Sequence, residues 1–161
     1  MAVDMFLKLK GLDGEARDEK RSKQIDVLAW SWGMSQSGTT HTGSGAGAGK
    51  VNVQDISVTK WVDKASPILI QKCAKGTHID DGELVVRKAG DKPLEYLTIK
   101  MKDIMITSVS TGGSGGEDRL TENVSLNFAE FTVSYQEQEK TGAAKGGAVD
   151  FTFNIAENKP T

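Results

Sequence analysis

Apolar and polar residues alternate through most of the chain, which is the pattern of half-buried β-strands. The first segment covers residues 3–10 and places Val3, Met5, Leu7 and Leu9 on one face. The same alternation predicts further strands at residues 25–35, 51–62, 82–88, 94–102, 104–110, 123–135 and 149–155. About seven to nine strands with a single helix predict a β-barrel or a β-sandwich.

Two of these segments change their apolar face part-way. In residues 51–62, Val51 and Val53 lie on one face, whereas Ile56 and Val58 lie on the other. In residues 123–135 the apolar positions shift by one residue, from Val124, Leu126 and Phe128 to Phe131, Val133 and Tyr135. Such shifts indicate a bulge or a bend that lets one strand serve two sheets.

The strand at residues 25–35 has two unlike faces. The bulky face carries Leu28, Trp30, Trp32 and Met34. The other face begins apolar and then becomes small and polar, with Ile25, Val27, Ala29, Ser31, Gly33 and Ser35. This second face is the one that suits contact with water.

Residues 63–75 are the best helix candidate. Asp63 or Ser66 can cap the N-terminus, and Pro67 suits the first turn. Gly76 can end the helix. The apolar side has a spacing of four residues, formed by Ala65, Leu69 and Cys73. An amphipathic helix of this length is expected to pack on the sheet.

Three polar stretches interrupt the strands. Residues 11–24 contain the densest charge run, 15–21, whose mixed signs predict a solvated loop. Residues 36–50 consist almost entirely of Ser, Thr, Gly and Ala, so they predict an extended loop that builds no core. Residues 111–118 form a second glycine cluster.

Composition narrows the function classes. The 161 residues are 37% hydrophobic and 26% charged, as in a soluble single-domain protein, and the predicted domain spans residues 1–161. A net charge of −2 argues against binding nucleic acid by bulk charge. Cys73 is the single cysteine, so no intrachain disulfide forms. The N-terminus lacks the pattern of a signal peptide, and no segment predicts membrane insertion.

The first glycine stretch fails as a phosphate-binding loop. A P-loop needs Gly at the place of Ser44, and Ser or Thr at the place of Val51. The stretch also leads from a strand into a strand, so it offers no helix N-terminus. We expect no cofactor.

Other chemistry is equally poorly supported. His41 and His78 have no further ligands at zinc-like spacing, so we expect no metal site. Cys73 reads as a small core residue, although a pair with His78 stays open as an enzyme hypothesis. Glu117 and Asp118 adjoin a glycine loop without a positioned partner. The sequence thus predicts no catalytic residue and no enzyme.

Several long motifs resemble the Hcp family, the haemolysin-coregulated proteins of the bacterial type VI secretion system. They are the opening M-A-V-D-M-F-L-K-L, the stretch W-S-W-G-M-S-Q-S-G at 30–38, A-G-K-V-N-V-Q-D at 48–55 and S-T-G-G-S-G-G-E-D-R-L-T-E-N at 110–123. The resemblance covers nearly the whole chain.

The resemblance implies a mainly β fold, a compact β-barrel of two sheets with one flanking α-helix. It implies a structural subunit whose six copies form a ring, and rings that stack into the inner tube of the secretion system. It also implies a spike protein, a contractile sheath and small effector proteins as partners, the effectors carried in the lumen of the ring. The protein would begin in the bacterial cytoplasm and be secreted without an N-terminal signal peptide.

Two groups of candidate residues follow. The small face of the second strand suits a water-filled lumen, so Ser31, Ala29 and Gly33 are candidate effector contacts. The loop at 36–50 resembles the family's extended arm towards an adjacent ring. Its candidate stacking residues are Gly38, Thr39, Thr40, His41, Thr42, Gly43, Ser44 and Gly45. An alternative is a free-standing β-sandwich that binds a carbohydrate or peptide on Trp30 and Trp32.

Overall fold

The computed structural model describes residues 3–38, 49–90 and 92–160. The described chain is mostly β-strand, with one α-helix, as predicted. The strands are β1 (Val3–Leu9), β2 (Ile25–Ser31), β3 (Met34–Gln36), β4 (Val51–Val53), β5 (Ile56–Trp61), β6 (Ile79–Lys88), β7 (Glu95–Gly112), β8 (Thr121–Tyr135), β9 (Val149–Asn154) and β10 (Lys159–Pro160). The helix is α1 (Ser66–Lys75).

Eight strands form one sheet in the order β10-β9-β8-β5-β2-β1-β6-β7, and β7 also pairs with β8. This second pairing closes six strands, β8-β5-β2-β1-β6-β7, into an antiparallel barrel. Strands β9 and β10 extend the sheet beyond the barrel, while β3 and β4 form a separate two-stranded hairpin. The predicted barrel with a flanking helix is therefore confirmed.

The expectation that the strand at 123–135 serves two sheets is corrected, because β8 changes its partner within one eight-stranded sheet. Strand β8 pairs with β5 over its first half, up to Leu126, and with β9 over its second half, from Glu130 onward. We call the region in which β7, β8 and β9 lie side by side the extension. The segment predicted as one strand at 51–62 is two strands, β4 and β5, which belong to different sheets.

Strand β7 corrects the prediction of two strands at 94–102 and 104–110. It runs without interruption from Glu95 to Gly112. Asp103 adopts a positive φ of 55° in its middle. The apolar face changes phase around Asp103, from Met101 to Ile104, which made the sequence read as two elements.

Helix α1 packs against β7 and contributes Ala65 and Leu69 to the core. Its predicted C-terminal stop is confirmed, because Gly76 is left-handed with φ 64° and the Thr77 amide donates to the Lys72 carbonyl oxygen. The predicted N-cap is wrong. Ala65 occupies that position and makes no side-chain cap.

The loop at 11–24 corrects the prediction of a solvated loop. It folds back over the outer face of β1 and β6, where Phe6 and Val85 are paired and buried. The Arg87 guanidinium lies 5.0 Å from the centre of the Phe6 ring and binds both carboxylate oxygens of Asp18, at 2.6 and 2.9 Å. The charge run therefore fastens the loop to the barrel.

Candidate functional site

A face of small, mostly polar side chains lies on the outside of β2, β5, β8 and β7. Laterally paired residues of a sheet point to the same side. Ser31 pairs with Ser57, Ser57 with Ser125, and Ser125 with Ser108. These four residues make a row of serines across four strands. The opposite face of the same strands is apolar and packs in the core: Trp30, Val58, Val124 and Val109.

A second row lies beside the serine row. Its members, paired in the same order across the four strands, are Ala29, Thr59, Asn123 and Ser110. The Thr59 hydroxyl donates to the Asn123 side-chain oxygen at 2.6 Å. We call the two rows together the polar face. None of its eight side chains is charged, and six of them are exposed. Such a surface can exchange hydrogen bonds with a polar ligand but attracts neither charge sign.

A β-bulge produces this face. The register between β2 and β5 shifts between Val27 and Ala29, so Leu28 is the extra residue. Val27 is buried before the bulge, whereas Ala29 and Ser31 are exposed after it. The assignment of Leu28 to the same face as Trp30 is therefore wrong in detail, because Leu28 is exposed.

The candidate effector contacts are only partly brought together. Ala29 and Ser31 share the polar face. Gly33 lies beyond the end of β2, at the junction with the β3–β4 hairpin, where its carbonyl oxygen accepts from the Gln54 amide at 2.9 Å. Gly33 therefore belongs to the hairpin junction and not to the face.

The candidate stacking loop begins in the described chain with Gly38, which is exposed. The remaining candidates lie outside the described residues: Thr39, Thr40, His41, Thr42, Gly43, Ser44 and Gly45. The two segments that flank them pair as β3 and β4, with Met34 opposite Val53 and Gln36 opposite Val51.

The extension carries an apolar surface on its other side. Phe131 at the barrel end is buried among aromatic neighbours, at 6.0 Å from Phe153 between ring centroids. Further from the barrel, exposure rises to 48% at Tyr135, 50% at Phe151 and 73% at Val149. We call this surface the extension face. Contiguous apolar exposure of this kind marks an interaction surface.

A second apolar surface lies beside α1. Val62, Pro67, Ile70 and Leu120 line a shallow depression, and all four are exposed. We call it the helix-side depression. Sequence periodicity missed it, since the apolar side of the helix was assigned to Ala65, Leu69 and Cys73 and did not include Ile70.

Beneath this depression is a buried polar cluster that the sequence analysis did not single out. Lys60 and Glu122 are fully buried and form an ion pair between β5 and β8. Lys60 Nζ also donates to Asp63 Oδ1 at 3.0 Å, and the Ser66 hydroxyl donates to Glu122 Oε1. These contacts occupy Ser66, which explains why it does not cap α1. The signal was present, because Lys60 and Glu122 alternate in phase with core residues.

Arg87 and Asp18 form a further ion pair on the outer face of β1 and β6, in which Arg87 is buried and Asp18 is partly buried. Two hydrogen bonds from the Arg87 guanidinium lower the pKa of Asp18 from 3.8 to about 2. The same pair, helped by Asp4 at 3.1 Å, raises the pKa of Arg87. Both side chains are charged across the physiological range and hold the loop at 11–24 in place.

The residues considered for enzyme chemistry lie apart from these surfaces. Cys73 is partly buried and packs against the core, in agreement with its predicted role. His78 Nδ1 contacts the Asp103 carboxylate at the surface. Trp30 and Trp32 both pack against the core, and Trp32 meets Phe131 edge-on at 4.9 Å. This packing disfavours the tryptophan pair as a ligand platform.

Two searches of the described residues complete the picture. Within residues 3–38, 49–90 and 92–160, no group of three or more His, Cys, Asp and Glu side chains could hold a metal ion. Over the same ranges, no helix is long and apolar enough to cross a membrane.

Comparisons with known proteins agree with one another. A family described as "Type VI secretion system effector, Hcp" matches residues 6–135. The chain is 59% identical over 159 residues to "Protein hcp1" of Pseudomonas aeruginosa, covering 98% of each chain. The crystal structure of Hcp1 from Salmonella typhimurium is 38% identical, with a TM-score of 0.83 and complete coverage of both chains. A further structure of a type six secretion system protein is 32% identical, with a TM-score of 0.92 and 99% and 100% coverage.

Proposed function

Because this chain belongs to the Hcp family of type VI secretion proteins, we propose that it forms hexameric rings that stack into the inner tube. Family membership makes the chain a secreted component of that system. In this proposal the protein assembles from the bacterial cytoplasm, leaves the cell without an N-terminal signal peptide, and performs no catalysis. Its partners are further copies of itself, the contractile sheath, the spike protein and small effector proteins.

The observation that carries the proposal is the exposed extension face. Phe151 and Val149 would lose most of their exposed apolar area only by contact with another molecule. A closed ring joins two different surfaces of each subunit. The helix-side depression, around Ile70 and Leu120, is a second apolar surface on different elements. We assign the ring contact to the extension face of one subunit and the helix-side depression of the next.

The polar face supports the lumen. A channel that carries proteins stays filled with water, so its wall is expected to be polar and to expose few large apolar side chains. Ser31 and its row are uncharged and spread over four strands of the barrel, and all but Ser125 are exposed. This observation favours Ser31 and Ala29 as effector contacts, with Ser57 added from the structure.

Light scattering and negative-stain imaging of the purified protein test the assembly. We expect ring-shaped particles of six subunits, whereas a monomer at high concentration would contradict the proposal. Phe151→Ser should abolish the rings. Lys100→Ser, on the polar side of the same extension, should leave them intact.

A mixing experiment tests the pairing of the two surfaces. Phe151→Ser keeps the helix-side depression, and Ile70→Ser keeps the extension face. Each variant alone should stay monomeric, but their mixture retains one intact contact and should give heterodimers. Rings that persist in both single variants would show that the contact lies elsewhere.

Co-purification of a small effector with the ring tests the lumen assignment. Ser31→Gln places a longer side chain on the polar face and should reduce retention while the rings stay intact. Ser22→Gln makes the same change in the exposed part of the loop at 11–24 and should leave retention unchanged. Equal retention in both variants would count against the polar face as the effector contact.

A further inference from the structure

The β3–β4 hairpin has little of its own to fix its direction. It belongs to neither the barrel nor the extension, and three residue pairs hold it together. All three residues of β3 are exposed. Its orientation therefore depends on the packing of Val53 against the core and on the two points at which the chain enters and leaves the hairpin, residues 32–33 and 54–55.

The first junction is tied to the core. The Trp32 indole N–H donates to the Gln54 carbonyl oxygen at 2.9 Å, and the Gln54 amide donates to the Gly33 carbonyl oxygen at the same distance. The Trp32 ring packs against Phe131 and Phe128. This junction holds both ends of the hairpin at one place.

The second junction, residues 54–55, is held by side-chain hydrogen bonds to neighbouring strands. Asp55 immediately precedes β5, and its two carboxylate oxygens have different partners. The Thr107 hydroxyl donates to Oδ2 at 2.6 Å, and the Asn127 side-chain amide donates to Oδ1 at 2.9 Å. Thr107 lies at the register shift of β7, and Asn127 is in the middle of β8. Asp55 is thus fastened to two further strands at the edge of the polar face.

We propose that Asp55, Thr107 and Asn127 form a bracket that fixes the direction of the β3–β4 hairpin and so positions ring-to-ring contact. Hydrogen bonds to an ionised carboxylate are short and directional, so two of them suppress rotation at residue 55. The proposal rests on the proposed function for its consequence in stacking. Its structural part, the order of the hairpin, is independent of that function. The three side chains are positioning residues, since they act through the hairpin.

Hydrogen exchange of the full-length protein measures the bracket directly. Asn127→Asp replaces a donor with a second carboxylate beside Asp55. The repulsion should raise exchange in peptides covering residues 33–37 and 50–54 by about tenfold. Exchange in the barrel strands should not change. The double variant Asp55→Asn with Asn127→Asp restores one amide and one carboxylate and should return exchange to the original rate.

A matched control separates this effect from the loss of any surface hydrogen bond. Thr107→Val removes the 2.6 Å contact to Asp55 and should also raise hairpin exchange. Ser134→Ala removes a contact of equal length and chemistry, to Asp150 in the extension, and should leave hairpin exchange unchanged.

Imaging of the same variants gives the functional result. Rings of Asn127→Asp should form normally but stack into fewer and shorter tubes, and the double variant should restore the tubes. Unchanged hairpin exchange in Asn127→Asp would overturn the proposal, as would an equal rise in the barrel strands. If the unaltered protein forms no tubes, the stacking part of the proposed function fails, and hairpin exchange still decides the bracket.

Discussion

Strands β7 and β8 lie side by side along almost their whole length, yet the two halves of this pair have different surroundings. In the barrel half, Val124 and Leu126 of β8 are fully buried against β5 and the core. In the extension half, the corresponding face rises from the buried Phe131 to the exposed Tyr135. The same two strands thus contribute to a buried core at one end and to an exposed apolar surface at the other.

This difference separates folding from assembly. The barrel half closes on itself through the β7–β8 pairing, so its core is complete within one chain. The extension half has no element over Phe151 and Val149 among the described residues. Changes in the barrel should therefore reduce the stability of the subunit, whereas changes on the extension face should mainly affect association.

The largest expected effect belongs to the buried pair of the barrel half. Glu122→Ala leaves the Lys60 ammonium buried without its main partner, which should cost about 3–5 kcal/mol of unfolding free energy. The double variant Lys60→Met with Glu122→Leu removes both charges and should recover most of that loss. Urea unfolding followed by circular dichroism measures both. A double variant as unstable as Glu122→Ala would contradict this account.

Gly82 gives the second test of the closed barrel. A Cβ at this position would lie 2.7 Å from the Lys8 carbonyl oxygen and under 3 Å from Leu9 and Ile104 side-chain atoms. Gly82→Ala should therefore separate β1 from β6 and cost about 1–3 kcal/mol. Gly115→Ala, where an added Cβ meets nothing within 4 Å, is the control. Similar thermal midpoints for the two variants would contradict this account, because they would show that β1 and β6 accommodate the added Cβ without loss of stability.

The loop at 11–24, which covers β1 and β6, should contribute less to the stability of the fold at acidic pH. The folded pKa of Asp18, about 2, lies below its ordinary value of 3.8. The ion pair with Arg87 therefore stabilises the fold fully above pH 4, and this contribution is lost as the pH falls towards 2. Asp18→Asn should be less stable at neutral pH, with a smaller further loss between pH 4 and pH 2. Parallel pH curves for the two proteins would contradict the assignment.

The smallest effect on folding is expected on the extension face. Val149→Ser alters a side chain that is already mostly exposed, so unfolding of the isolated subunit should change by no more than about 0.5 kcal/mol. The concentration dependence should change instead. If the protein assembles as proposed, the midpoint of the unaltered protein should rise with protein concentration, and Val149→Ser should flatten that dependence. A large loss of unfolding free energy in the dilute monomer would contradict the distinction between a barrel half that determines stability and an extension half that affects association.

The alternation of residues located most of the strand regions, and the capping residues and four-residue spacing located the helix, because each depends on neighbours within a few positions. It missed what long-range contacts decide. Asp18 and Arg87 are 69 residues apart, and nothing in the charge run at 15–21 indicates which of its members meets a buried partner. The bulge at Leu28 was equally hidden, since residues 25–30 are apolar on both faces apart from Asp26, so the pattern showed no clear change of face.

The candidate site shows the same division. Ser31 and Ala29 were predicted from a single strand, but the rows they belong to arise from pairing with β5, β8 and β7. Gly33 was assigned by extending the alternation past the end of β2, where the chain turns into the hairpin. Lys60 could have been found, because it lies in phase with Ile56 and Val58 of a predicted strand, whereas Glu122 lies one residue before the predicted strand at 123–135.

The serine row also has a consequence for selectivity. A hydroxyl group rotates about its C–O bond, so it can donate a hydrogen bond to one ligand group and accept one from another. This holds for all four members of the row: Ser31, Ser57, Ser125 and Ser108. Amides or charges at the same positions would present one fixed arrangement of donors and acceptors and would bind only surfaces that match it. If this row lines the proposed lumen, its rotating hydroxyls can adapt to different protein surfaces, so we expect weak binding of many effectors and tight binding of none.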